Sequence, residues 1–216
     1  MQYSDALPAQ RRPGRLKPHK RLAQVKPGQE DTFDHVCFDM NPILHTACRK
    51  ASTVEAAVFR VYRELDATLK VLIPRKSVVL AFDGPGPYAK LLTQRKRRGK
   101  ASKVSKYALS SLNITPGTTF MHEVKQACMY YVCVRLAMSY KFRNVAFYLS
   151  GADVPGEGEV KILEWIHNLM GDSSKHSWED SIMIVGGDAD LVLQVPPPAL
   201  SRRGCRSRRW PDFPIR

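Results

Sequence analysis

The chain has 216 residues, 44% hydrophobic and 25% charged, with a net charge of +14, which is enough for one globular domain with a full core. No apolar run reaches the roughly 20 residues of a membrane span, no secretory signal opens the chain, and the five cysteines (37, 48, 128, 133 and 205) form no CxxC pair. A membrane span, a secreted disulfide scaffold and a zinc finger are thereby excluded, and the expected setting is intracellular, in nucleus or cytoplasm.

The positive charge is uneven. Residues 1–31 carry a net +4, residues 90–106 +8 and residues 201–216 +5, leaving −3 for everything else. A mildly acidic body with basic additions suits an anionic polymer brought to a carboxylate-lined site. At the two ends the basic runs read as solvated, disordered tails, so the domain is expected over residues 32–195, with tails at 1–31 and 196–216. Residues 1–26 also have the basic, acid-poor composition of an organellar transit segment.

In chain order, residues 32–39 predict a first strand ending on Asp39. Asn41 before Pro42 reads as a helix N-cap followed by proline at the first helical position. Ser52 and Glu55 form a capping box for a helix whose Val54, Val58, Val61, Leu65, Leu69 and Leu72 recur at helical spacing. Residues 77–83 predict a strand buried on both faces and ending on Asp83, and residues 84–87, Gly-Pro-Gly-Pro, a rigid turn.

On the helix predicted from residue 88, Lys90, Gln94, Arg97 and Arg98 share one face. Three cations and an amide there can hold a phosphate. Residues 119–141 predict the longest helix, with Met121, Val124, Cys128, Tyr131, Val132, Arg135 and Met138 along its inner stripe. Residues 144–150 and 181–188 predict two further strands, separated by a helix over 157–170. Strands alternating with helices define an α/β fold, a mostly parallel central sheet flanked by helices. A short helix after Asp188 and Asp190 is stopped by Pro196, Pro197 and Pro198. The fold is therefore expected to be incomplete at its carboxyl end, and residues 199–216 show neither helical nor strand period.

In a parallel sheet the carboxyl ends of the strands form one edge, and ligands bind along it. Asp39, Asp83, Glu157, Glu159, Asp188 and Asp190 all fall on that edge. A single acid at a helix N-terminus is ordinarily a partner of the dipole, and a single Asp after a strand a turn former. Six at four strand-to-helix junctions point instead to a divalent cation. Carboxylates and water are the ligands of Mg²⁺, with Mn²⁺ as the alternative, and two ions roughly 3.5–4 Å apart serve phosphodiester hydrolysis. Glu157 and Glu159 diverge in a regular helix and converge only if the stretch around Gly156 and Gly158 is turn-like. Neither a GxGxxG nor a GxxxxGK[ST] loop is present, nor a GxSxG elbow.

Five motifs, in this order, resemble the Xrn family of 5′ to 3′ exoribonucleases, within the flap-endonuclease-like and PIN-like nucleases. They are Phe38-Asp39-Met40-Asn41-Pro42-Ile43-Leu44-His45, the run from Asp83 through Lys90 to Arg98, Ile114-Thr115-Pro116-Gly117-Thr118, the run from Val154 through Glu157 and Glu159 to Ile162, and Gly187-Asp188-Ala189-Asp190-Leu191. The resemblance covers residues 33–194. It implies that the six acids are ligands of two Mg²⁺ ions and that Lys90, Gln94, Arg97 and Arg98 hold a 5′-terminal phosphate. Asn41 and His45 would meet the terminal nucleotide, with His45 stacking on its base. The implied substrate is single-stranded RNA with a 5′-monophosphate.

Three departures accompany the resemblance. Residues 1–31 lack the family's usual start, Pro42 stands where a glycine is usual, and the further metal-binding Asp of the family does not follow Asp190. Two other readings therefore stand beside the exoribonuclease: a catalytically impaired protein that binds RNA 5′ ends, and a flap-type DNA nuclease. The run from Lys90 to Arg98 favours the exoribonuclease over the flap nuclease.

Overall fold

A computed structural model of the chain describes residues 31–90, 92, 109–171 and 180–186, and the backbone of 205–209. The first strand, β1 (Asp31–Asp39), alternates between two buried faces, Val36 and Phe38 on one and Cys37 on the other. It passes directly into α1 (Met40–Arg49), whose N-cap is Asp39. The Asp39 carboxylate accepts from the Asn41 backbone N–H at 3.1 Å, so the cap lies two residues before the expected Asn41. Pro42 becomes the third helical residue, where its missing N–H would have had no intrahelical partner in any case.

Helix α2 (Val54–Val71) is capped by Thr53, which accepts from the Ala56 N–H, and not by Ser52 as the capping-box spacing suggested. It buries Ala57, Val61, Leu65, Thr68 and Leu69. The chain then turns straight into β2 (Leu72–Ala81), five residues before the predicted start. Leu72 belongs to both elements, its N–H still donating to Thr68. Pro74 and the exposed Arg75 and Lys76 disguised this half of the strand. A proline is tolerated here because β2 has a neighbour on one side only until Ser77.

Helix α3 (Thr119–Met138) buries Phe120, Met121, Val124, Ala127, Cys128 and Tyr131. The predicted inner stripe therefore holds through Tyr131, continues partly buried at Val132, and fails at its end, with Met138 83% exposed. Tyr131 and Arg135 both donate to Asp66 of α2, at 2.7 and 2.6 Å, tying the two helices. After β3 (Ala146–Ser150) and α4 (Gly158–Gly171) comes β4 (Ile182–Gly186).

All pairings are parallel, in the order β3-β2-β1-β4-β5. The last strand, β5 (Cys205–Arg209), pairs with β4 from Ile182↔Cys205 to Gly186↔Arg209. Residues 205–209 of the expected carboxyl-terminal tail thus form a strand. A ladder is made by backbone groups, so an edge strand needs no alternation of side chains. Helices α1, α2 and α3 cover one face of the sheet and α4 the other, which leaves the carboxyl edge as the common rim of both layers. No helix among the described residues is long and apolar enough to cross a membrane.

Candidate active site at the carboxyl edge of the sheet

Two central strands deliver the first acids. Asp39 ends β1, opposite Ala81 of β2, and Asp83 follows β2 by two residues. Asn41 joins them: its backbone N–H bonds Asp39 and its side-chain amide donates to Asp83 Oδ2 at 2.6 Å. The sequence placed Asn41 against substrate, but its amide is turned onto an acid. Asp83 Oδ1 accepts from the Gly158 N–H at 2.8 Å. A Cβ at Gly158 would lie 2.7 Å from Asp39 Oδ1, so only a glycine lets α4 begin against both carboxylates.

The third acid arrives with the loop before α4. Gly156, at φ +106°, takes a conformation that favours glycine. The Gly84 N–H donates to Gly156 O at 2.8 Å and the Gly156 N–H to Pro85 O at 3.1 Å. The loop after β2 and the loop before α4 are thus sewn together. Gly84 is needed as well, since a Cβ there would meet Val154 O at 1.8 Å. The turn that the convergence of Glu157 and Glu159 requires is present at Gly156, while Gly158 is already helical and Glu159 sits half-buried in the first turn of α4.

Glu157 Oε2 accepts from Lys90 Nζ at 2.6 Å. Its other oxygen, Oε1, is buried and has no hydrogen-bond partner. Among the described residues one other buried side-chain atom shares that state, Arg135 Nε. Burial raises the pKa of Asp83 first; the Gly158 N–H opposes this, the charge of Glu157 adds to it, and Lys161 and Lys90 pull it back. The edge therefore gathers carboxylates that repel one another, with a buried oxygen unbonded. His45, one turn along α1, is held below the ordinary imidazole range by burial and then by Arg49, against the charge of Asp83.

One buried cation was not singled out in the sequence. Lys161 Nζ donates to Phe82 O and Gly151 O, both at 2.8 Å. The signal was available: Gly158, Lys161, Ile162, Trp165 and Ile166 recur at helical spacing and turn toward the sheet, so this lysine stands at a core position. Asp188, Asp190, Gln94, Arg97 and Arg98 lie outside the described residues. Among the described residues no group of three or more His, Cys, Asp or Glu is drawn together closely enough to hold a metal ion. The donors that are present nevertheless fit a hard divalent cation, being carboxylate oxygens, one of them buried and unbonded.

An all-parallel sheet in this order, covered on both faces and carrying acids at its carboxyl edge, is the architecture of the PIN-like α/β nucleases. Comparison with known proteins gives the family. Residues 9–111 and 99–195 match the family model described as XRN 5′-3′ exonuclease N-terminus, and the chain belongs to that family. It is similar to a 5′-3′ exoribonuclease 2 homolog of Caenorhabditis elegans, 30% identical over 193 residues, covering 74% of this chain and 20% of the relative. Similar too are 5′-3′ exoribonuclease 1 of Saccharomyces cerevisiae (31% identical over 197 residues, 80% of this chain and 13% of the relative) and of Homo sapiens (29% over 194 residues, 78% and 11%). The chain thus spans a fifth or less of the length of these relatives.

Proposed function

We propose that this chain carries the acidic centre of a 5′ to 3′ exoribonuclease that hydrolyses single-stranded, 5′-monophosphorylated RNA with two Mg²⁺ ions. The observation that carries the proposal is the convergence of Asp39, Asp83 and Glu157 around Gly158 and Lys90, with Glu157 Oε1 buried and unbonded. Such an arrangement is costly for a protein on its own, because like charges in a desolvated site disfavour ionisation. A divalent cation removes both the repulsion and the missing bond.

Asp39, Asp83 and Glu157, with Glu159, Asp188 and Asp190, would hold the ions, which supply an activated water and a stabilised leaving oxygen when bound. Asn41 keeps Asp39 and Asp83 at a fixed separation. Lys90 adds positive charge at the mouth of the acid cluster, where a terminal phosphate enters, and Gln94, Arg97 and Arg98 continue the same predicted helix face; guanidinium groups take paired hydrogen bonds from a phosphate and none from a hydroxyl end. The neutral ring of His45 is suited to stacking on a base.

The test is cleavage of 5′-monophosphorylated and 5′-hydroxyl RNA of one sequence by the 216-residue chain, with Mg²⁺ and with chelator. Mg²⁺-dependent release of nucleotides from the phosphorylated RNA alone is expected. Equal treatment of the two RNAs, or cleavage that survives chelation, would refute the proposal.

A further inference from the structure

We propose that Lys161 is the positioning residue of the acid site: its ammonium pins together the loops that carry Asp83 and Glu157, and so sets the separation of the two carboxylates. The proposal deepens the nuclease reading and rests on it only for the consequence to cleavage.

The ladder between β2 and β3 ends at Ala81↔Ser150, with one more bond from the Phe82 N–H to Ser150 O. Past that point the pairing stops: Gly151 O accepts from the Val154 N–H at 3.2 Å in the following turn, and Phe82 O lies beyond the last paired residues. Lys161 reaches them from the second turn of α4, with only 6% of the residue exposed. An ammonium carries three donors in a flexible arrangement, and two of them close the gap between the strand ends at 2.8 Å each.

Both acid-bearing loops then wrap this side chain. A Cβ on Gly84 would lie 3.2 Å from Nζ, and one on Gly156 would lie 3.5 Å from Lys161 Cγ. The two bonds between these loops, Gly84 N–H to Gly156 O and Gly156 N–H to Pro85 O, run beside the pin. The Lys161 backbone N–H also holds Glu157 O at 3.0 Å. One residue therefore touches the chain immediately before Asp83, the glycine after β3 and the residue that bears the unbonded oxygen.

The experiment compares the wild-type chain with K161M, which keeps the length and loses the donors. In the metal-free chain, hydrogen exchange at the Gly84 and Gly156 amides should quicken by about tenfold or more while that of α2 is unchanged. Mn²⁺ affinity by calorimetry should fall by about tenfold or more, with RNA affinity, measured by anisotropy in Ca²⁺, within about twofold. If K161M does not fold, K161Q, whose shorter side chain keeps an uncharged amide NH2, takes its place. Wild-type exchange and Mn²⁺ affinity in the folded variant overturn the proposal; so does failure of both variants to fold, which would make Lys161 a determinant of folding. A wild-type chain that binds no Mn²⁺ or cleaves no RNA defeats the proposed function instead, and the exchange comparison still decides the role of Lys161.

Discussion

The two ends of the sheet bury ionisable side chains in opposite ways. At the amino end, His35 of β1 shares a hydrogen bond with Ser77 of β2 at 2.8 Å through Nδ1 and with Asp180 at 3.2 Å through Nε2. With the ring neutral, Nε2–H donates to the carboxylate and Nδ1 accepts from the hydroxyl. Asp180 also accepts from Lys76 at 2.7 Å, and Asp34 receives both the N–H and the hydroxyl of Ser181 at 2.8 Å. Opposite and complementary groups are matched, and the result is a clasp across β1, β2 and the start of β4. At the carboxyl end, Asp83 feels the charge of Glu157, and although Lys90, Asn41 and the Gly158 N–H bond these acids, one oxygen of Glu157 stays unbonded. Burial is common to both ends, and what separates structure from a ligand site is whether the buried groups complete one another.

The largest effect should come from removing an acid whose charge is opposed by burial and by a second carboxylate. Asp83→Asn is expected to lower Mg²⁺-dependent RNA cleavage by more than about a hundredfold, beyond the range of outer-shell partners. Its metal-free melting temperature should stay level, because the relief of a repelled charge offsets the one hydrogen bond that the amide NH2 cannot accept from Asn41 or Gly158. A fall in melting temperature with cleavage intact would erase the distinction between the two ends.

At the amino end the reverse holds. Asp180→Ala leaves His35 and Lys76 without their acceptor and should cost about 1.5–3 kcal/mol in urea unfolding, while the folded fraction keeps its cleavage rate. A variant as stable as the wild type would show that the clasp holds nothing.

Asn41→Ala sharpens the comparison from the other side, since Asn41 is the neutral bridge between two acids. The expected loss is about tenfold in Mn²⁺ affinity. An unchanged affinity together with weaker binding of RNA ends would return Asn41 to the substrate role that the motif implied.

The smallest effect is one of pH. Burial lowers the pKa of His35 below its ordinary 6.5, with Asp180 and Asp34 opposing and Lys76 assisting. The unfolded chain therefore takes up the proton first as pH falls. The stability contributed by the neutral ring is complete above 6.5 and is lost between that value and the folded-state pKa, at no more than about 1.4 kcal/mol per pH unit. Urea unfolding of His35→Gln should lack this component; an identical pH profile would place the titration elsewhere.

Much of this molecule was legible in its residues. The apolar runs ending in Asp39 and Asp83, the helical spacing of Val61, Leu65 and Leu69, and the order of the five motifs sufficed for a parallel α/β nuclease fold with acids on one edge. Side-chain period and strand-end chemistry are local properties, and a linear sequence carries them. Boundaries were less legible wherever two signals competed, as where Pro74, Arg75 and Lys76 hid half of β2, or where Asp39 served at once as strand end and helix cap. The clasp at His35 and Asp180 could not be read at all, because its partners lie 42 and 145 positions apart.

Only tertiary structure decided which acids meet and what stands behind them. Asp83 feels the charge of Glu157 because Gly84 and Gly156 allow two loops to touch, and such closeness is a property of backbone conformation with no periodic trace. Lys161 appears in the sequence as one more cation among 34 lysines and arginines. Its meaning comes from the Phe82 and Gly151 carbonyls where β2 and β3 separate, and those two carbonyls stand side by side only once the ladder has formed.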